Sequence, residues 1–585
     1  MPAKEIAAMD FRFKDLPRAI WYFFYGDRKK FITFAIILNI VLLSESLPPY
    51  IIGRVVNFLT NYHQGDSMNP LIYYALFLAI ATGIFAFIRL ECKKQIEIIS
   101  VNARYRAKTW GFQKLVDFSL SWHQQESTGN KAQRLITGSE AIRQWVIDLM
   151  NVIFPTFSSF LIVLVTCVLL SPIFAIFFIY YFVVLVMTEL YFDRKISLLS
   201  DTINKAMENA SGRFVEGASN ITSVKALGAG QELSKQINDK EQLTQKFSQD
   251  RVRLGVIKWQ AVQWHNAISW GMFLFFVGYL VINQRLSIGL VTTYTMYFAR
   301  LREGATRFTN QFQLMIEQKS NLGRMMNIFW TENTLKTGEE HFPPKLESIQ
   351  FNKVQFAYQD KTILKDITFG INQGQIIGMA GESGSGKSTI FKLLLGLYHP
   401  NQGQIHYDAL DLTQIKQEEL TKNISIVLQE TELFAISLVE NVTMGRNFDP
   451  LLFDKACHIA NLTPVIEKLP RGRDTILGEK GYSLSGGERQ RIGIARAIYL
   501  NPQILLMDEC TSALDAKTEE SIMSRLLEYQ SETGMTIIMI AHNVKTLAQT
   551  HKILLFDQGR LVRESDYQTL LKEDERFNQK AIDRK

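Results

Sequence analysis

"QIIGMAGESGSGKSTIFKLL", residues 375–394, decides how the second half of this chain folds. "QIIGMA" is a short apolar run of the kind that forms a buried strand, and "TIFKLL" opens an apolar helix. Between them "GESGSGKS" satisfies G-x-x-x-x-G-K-[ST] in full. Gly381, Gly384 and Gly386 let backbone N–H groups wrap phosphate oxygens, with Glu382, Ser383, Ser385 and Thr389 completing the loop. Lys387 can reach β- and γ-phosphates, and the Ser388 hydroxyl can ligate Mg²⁺. A strand, a phosphate loop and a helix in that order predict an α/β domain built on a parallel sheet. "QILLMDE" (503–509) and "TIIMIAH" (536–542) supply further buried parallel strands.

The first of these two runs also carries chemistry. Asp508 ends an apolar strand, where it can hold Mg²⁺, and Glu509 comes next, free to act as general base toward a water. Tyr358, 23 residues before Gly381, offers an aromatic ring for a nucleotide base. Gln429 and His542 each follow an apolar strand, where a side chain can meet the metal or the γ-phosphate. A second cradle lies about a hundred residues on. "YSLSGGERQR" (482–491) reads as a turn entering a helix, with Ser485, Gly486, Gly487 and Glu488 at its mouth. Free N–H groups and the helix dipole suit that position to an anion. One chain therefore carries two phosphate cradles.

The first half reads differently. Its 330 residues contain six mostly apolar runs, at about 31–53, 70–91, 146–169, 171–192, 262–283 and 286–308, each long enough to cross a bilayer. Lys29, Lys30, Lys93, Lys94, Arg194, Lys195, Arg251, Arg253 and Lys258 flank these runs on one side, which places the N-terminus and the long loops in the cytosol. The net charge of +7 therefore fits a membrane surface, and no aromatic-basic motif points to nucleic acid. Four scattered cysteines suggest neither disulfides nor zinc. "LPRAIWYFFYG" (16–26) has the amphipathic, aromatic character of an interfacial helix. The two long polar segments, 92–145 and 193–261, predict helices continuing out of the membrane. Each is broken near its middle, at 121–130 and 216–230. The expected organisation is an N-terminal interfacial segment (1–30), a six-helix all-α transmembrane domain (31–330), a polar linker holding Pro343 and Pro344 (331–348), and an α/β P-loop nucleotide-binding domain (349–585).

Charge inside the apolar runs marks a candidate cavity. In "LSIGLVTTYTMYFARLREGATRF" (286–308), Arg300, Glu303 and Arg307 fall at i, i+3 and i+7 and share a helix face. Arg300 lies ~21 Å along a helix, inside a hydrocarbon core ~30 Å thick, where charge should face water or an ion pair. Arg89 stands near the inner end of the second run. Glu45, beside Pro48 and Pro49, is a further acid at membrane depth. These five residues suit an amphiphilic or anionic cargo, or they neutralise one another.

The order Tyr358, "GESGSGKS", Gln429, "LSGGE", "ILLMDE", "SALD" and His542 resembles the nucleotide-binding domain of ABC transporters, and the membrane half resembles that family's exporter type. The resemblance implies that ATP sits between two such domains arranged head to tail. Gly381–Ser388 would hold one face of it. Ser485, Gly486 and Gly487 would close on the γ-phosphate from the other protomer. Asp515, in "SALD", would lie in the loop crossing between the two sites. "GEKG" (478–481) and the breaks at 121–130 and 216–230 resemble the family's coupling elements. Cys510 and Asn543 depart from the family's commoner residues without removing a catalytic group. The resemblance implies a dimer of half-transporters, a homodimer or a heterodimer with a degenerate partner, in the cell inner membrane with its ATPase domain cytosolic. The expected function is an ATP- and Mg²⁺-dependent exporter or flippase for an amphiphilic cargo. A multidrug or peptide exporter is the alternative, and an ATP-gated channel or regulatory subunit is the rival outside transport. Six apolar spans weigh against a soluble remodelling ATPase.

Overall fold

The computed structural model describes residues 11–125, 128–170, 172–331, 338–359, 361–478, 483–541, 544–575 and 577–578. The chain divides into two units, Met1–Glu332 and Asn333–Lys585.

The first unit is helical among its described residues. A short α1 (Leu16–Phe23) precedes α2 (Arg28–Leu43), and a 3-10 turn at Ser44–Ser46 leads into α3 (Leu47–Thr60). Then come α4 (Asn69–Asp117), α5 (Leu120–Gln125), α6 (Thr128–Asp148), α7 (Phe154–Leu170), α8 (Pro172–Ser219), α9 (Ile221–Ala226), α10 (Gly230–Ile282) and α11 (Ile288–Trp330). The break inside the first expected span has a local cause. Pro48 and Pro49 occupy the first turn of α3, where their missing N–H groups leave no intrahelical bond unmade.

Helices α4, α8 and α10 have 49, 48 and 53 residues, about 70–80 Å each and far more than a bilayer requires. Short helices α5 and α9 stand at the two places where the polar segments break. Among the described residues, five helical stretches are long and apolar enough to cross a membrane: Arg28–Thr60, Asn69–Asp117, Gly129–Thr166, Phe174–Ser219 and Gly230–Ile282. The sixth expected span is not among them. Residues 286–308 do lie almost wholly in α11, but Arg300, Arg302 and Glu303 fall within that helix's first 16 residues. It is amphipathic, and it packs against α3, α6, α7 and α8.

Two large clusters of buried side chains stand out among the described residues of this unit. One gathers Phe23, Leu38, Ala103, Ile142 and Leu322 from α1, α2, α4, α6 and α11. The other is aromatic, with Phe174, Phe178, Tyr181, Phe273 and Phe298 packed at ring separations of 4.9–6.4 Å. Outside them, Phe87 and Phe275 are 74% and 79% exposed, as suits side chains facing lipid. Amphipathic α1 buries Ala19 and Phe23 while Trp21 and Tyr22 stay exposed. Arg106 tethers its end through the Phe23 carbonyl (3.1 Å) and Asp27 (2.7 Å).

The second unit holds ten strands among its described residues: β1 (Ser348–Tyr358), β2 (Lys361–Asn372), β3 (Ile376–Gly381), β4 (Gln402–Tyr407), β5 (Leu410–Asp411), β6 (Ile424–Val427), β7 (Ile504–Asp508), β8 (Thr536–Ile540), β9 (Lys552–Asp557) and β10 (Arg560–Ser565). They form a four-stranded antiparallel sheet, β2-β1-β4-β5, and a six-stranded sheet, β10-β9-β3-β8-β7-β6. β9, β3, β8, β7 and β6 run parallel, and β10 closes the edge antiparallel. The three expected buried strands are β3, β7 and β8 at its centre. Each is buried along almost its whole length, which explains its continuous apolar sequence. The phosphate-loop helix Lys387–Leu394, the helix Gly486–Tyr499 and the helix Ala516–Thr533 start near the strands' C-terminal ends, where open α/β sheets bind ligands.

Candidate nucleotide site and membrane cavity

β3 delivers the chain into the phosphate loop at Gly381, whose φ is +149°. A side chain there would put Cβ 2.2 Å from the Phe556 carbonyl oxygen on neighbouring β9, so only glycine fits. Gly386, at φ +103°, turns the chain into the helix Lys387–Leu394. Glu382, Ser383 and Gly384 are exposed on the loop, while Ser385 and Thr389 are buried beneath it. The Lys387 ammonium folds back, donating to the carbonyls of Gly381 (3.0 Å) and Glu382 (2.8 Å) and to the Ser385 hydroxyl (3.3 Å). Those contacts show what a phosphate would displace: acceptors that hold the cation over the loop.

Ser388 donates to Asp508 Oδ1 at 3.4 Å, joining the helix start to the end of β7. Burial pushes the Asp508 carboxyl up, opposed by the Ser388 hydroxyl and by Lys387 and Lys392. A hydroxyl and a carboxylate beside a phosphate loop are hard oxygen donors that fit Mg²⁺. Glu509 adopts φ +48°, a left-handed backbone that non-glycine residues seldom take, and its N–H donates to the Ile540 carbonyl at 3.0 Å. Cys510 next to it is buried, which pushes its thiol up to about 12. The turn that follows is pinned by Glu519, which accepts from Thr511 Oγ1 (2.9 Å) and Thr546 Oγ1 (3.2 Å).

Tyr358 closes β1 half-buried, edge-on to Phe356 and Tyr398, with the Lys392 ammonium 5.5 Å from its ring centre. Gln429 is exposed on the bend after β6. His542 lies outside the described residues, as do residues 479–481 of "GEKG".

The second cradle is a helix mouth with a reciprocal cap. Ser485 Oγ accepts from the Glu488 N–H (3.3 Å), and the Glu488 carboxylate accepts from the Ser485 N–H (2.8 Å) and hydroxyl (2.9 Å). That backbone N–H holds the Glu488 carboxyl below its ordinary value. Gly486 and Gly487 follow, half-buried, on the first turn. A Cβ on Gly487 would come within 2.9 Å of the Ala513 carbonyl oxygen. Asp515 caps the helix Ala516–Thr533 through Thr518, which lowers its carboxyl.

In the first unit, Glu45, Arg89, Arg300, Glu303 and Arg307 line one cavity of about 360 Å³. Arg89 bonds Glu45 at 2.7 Å, and Arg300 reaches the Glu45 carbonyl and lies 4.0 Å from its carboxylate. Arg307 pairs with Glu303 at 3.3 Å. Both carboxylates are engaged, and three arginines against two glutamates leave one positive charge in excess. Glu45 thus pairs with two bases across the helix break.

Two features escaped the sequence. Lys258 and Glu189 form an ion pair at 3.1 Å that is almost fully buried, and Lys258 also donates to the Thr309 carbonyl at 3.3 Å. Lys258 had registered only as a flanking positive charge, and no spacing relates it to Glu189. Gln490, inside the second cradle's helix, carries no motif-level signal distinct from its neighbours.

The two units match two family descriptions in the order the fold requires. Residues 31–303 match the ABC transporter transmembrane region, and residues 364–512 match the ABC transporter domain. The chain belongs to the ABC transporter family. A solved bacterial Atm1-family ABC exporter with ATP bound is similar over 96% of this chain and 98% of its own, with a TM-score of 0.83 and 25% identity. The mitochondrial iron-sulfur clusters transporter ATM1 of Kluyveromyces lactis is 28% identical over 95% of this chain and 79% of its own length. The alpha-hemolysin translocation ATP-binding protein HlyB of Escherichia coli O6:H1 is 31% identical over 64% of this chain and 53% of its own length. This ABC transporter is thus an exporter-type half-transporter: a multi-pass membrane domain followed by an ATP-binding domain, with ATP hydrolysis coupled to transport.

Proposed function

We propose that this ABC transporter works as a dimer, moving an anionic amphiphile out of the cytosol or the inner leaflet by alternating access in the cell inner membrane. The observation that carries the cargo reading is the cavity itself, where charges from α4, α11 and the turn between α2 and α3 meet with positive charge in excess. The two relatives are named for unlike cargos, iron-sulfur clusters and alpha-hemolysin, so kinship does not choose the cargo. Arginine binds phosphate and carboxylate with charge-assisted, geometrically selective bonds.

The dimer, a homodimer in its simplest form, follows from the two cradles. Gly381–Thr389 would hold ATP within one protomer, and Ser485–Glu488 would close on it from the other, with Asp515 between the sites. Lys387 exchanges its loop carbonyls for phosphate oxygens. Ser388 and Asp508, with Gln429, would hold Mg²⁺, which when bound supplies charge neutralisation at the β- and γ-phosphates. Glu509 accepts a proton from the attacking water, His542 contacts the γ-phosphate, and Tyr358 stacks on the base once Lys392 moves aside.

The cargo reading is tested by ATPase activity in nanodiscs titrated with anionic lipid, zwitterionic lipid or cationic drugs. The parent should be stimulated by anionic lipid. Arg300→Gln combined with Arg307→Gln should lose most of that stimulation, expressed as a ratio to each protein's own unstimulated rate. Stimulation by cationic drugs alone would replace this reading with multidrug export.

A further inference from the structure

Gln490 lies on the second turn of the helix Gly486–Tyr499 and is only 4% exposed. Its amide donates to the Gln429 carbonyl (3.4 Å) and to the Ser512 hydroxyl (3.2 Å), while its own carbonyl accepts the Ala513 N–H at 3.0 Å. The same helix face continues at Gly493 and Arg496, spaced by three residues. A Cβ on Gly493 would lie 2.5 Å from Thr431 Oγ1, and Arg496 donates to the carbonyls of Glu432 (3.2 Å) and Asn441 (2.9 Å). Residues 429–432 are therefore laid along this helix. Gln490 is where they meet the turn three to four residues after Glu509.

We propose that Gln490 is a positioning residue that couples the two ATP sites of the dimer. Its helix begins at Ser485, which addresses one ATP. The segments it grips carry Gln429 and follow Glu509, which address the other. A shift of the helix Gly486–Tyr499 on closing over one nucleotide is thus transmitted through a buried amide to the hydrolytic groups at the second. The coupling rests on the paired-site reading above. A buried amide with all three bonds made transmits displacement well, because leaving any of those partners unpaired is costly.

The test uses the full-length transporter in nanodiscs. ATP titrations of the parent, Gln490→Met and Gln490→Glu give kcat, KM and the Hill coefficient, and thermal melting gives the folded fraction. Methionine keeps the volume without the bonds. Glutamate keeps the acceptor for Ala513 but turns a carboxylate oxygen toward the Gln429 carbonyl, and it serves if the methionine variant does not fold. The expected result is kcat per folded molecule down about tenfold, KM changed less than about threefold, and a Hill coefficient falling from above 1 to about 1. Lower kcat with parental cooperativity shows a merely structural role and overturns the proposal, as does parental behaviour throughout. A non-cooperative parent overturns it together with the paired-site reading, so the two failures are distinguishable.

Discussion

Glu509, the proposed general base, has an unusual backbone. Its left-handed φ of +48° is held by the N–H bond to Ile540 and by Glu519 gripping the next turn at Thr511. Strain of this kind persists where surrounding structure over-determines it. Glutamine has the same shape and the same tolerance for that backbone, so Glu509→Gln should fold and bind ATP as the parent does. It lacks a basic oxygen, and removing a general base lowers turnover by about 10²–10⁴-fold. Steady-state ATPase together with nucleotide binding checks this. Parental turnover would place the base elsewhere.

Helices α8, α10 and α11 meet at a buried charge. Lys258 and Glu189 are 1% and 2% exposed, so their attraction is little screened, yet both have lost their water. The pair sits well inside both α8 and α10, away from their ends, and the Thr309 carbonyl extends it to α11. Breaking one partner leaves a bare buried charge. Lys258→Met should therefore destabilise by about 3–5 kcal/mol. Combining it with Glu189→Leu should recover most of that loss, because the second change removes the stranded carboxylate. Thermal melting of the two single variants and the double variant forms the test. A double variant as unstable as the sum of the singles would mean that the charges do not interact.

At the scale of the molecule, each chain holds one phosphate loop and one helix mouth at Ser485–Glu488. If they serve different ATP molecules, defects can be sorted by mixing protomers. A Lys387→Ala protomer paired with a Ser485→Arg protomer places both defects in one site and leaves the other intact. Such a dimer should keep ATP-dependent closure, read by crosslinking, at roughly half the parental extent, while a dimer carrying both changes in each chain should show almost none. The factor of two is site counting: one of two sites survives. Equal crosslinking in the two would overturn the trans arrangement.

The nucleotide-binding fold was legible in the sequence because its constraints are local. A phosphate loop must have glycines where backbone crowds, as at Gly381 under Phe556, and a buried parallel strand must be apolar throughout, as in β3, β7 and β8. Apolar length likewise marked the membrane helices, and Pro48–Pro49 marked the seam in the first. Pattern failed where burial depends on partners distant in the chain. Arg300 and Glu45, 255 residues apart, are neighbours only after α11 packs against α3, and the same folding gives Lys258 its carboxylate. Gln490 looks like any polar residue on a helix until residues 429 and 513 arrive beside it. Local backbone and hydropathy rules act over a few residues and so are written in order along the chain. The pairing of buried charges and amides is chosen by which helices pack together, and that choice exists only in three dimensions.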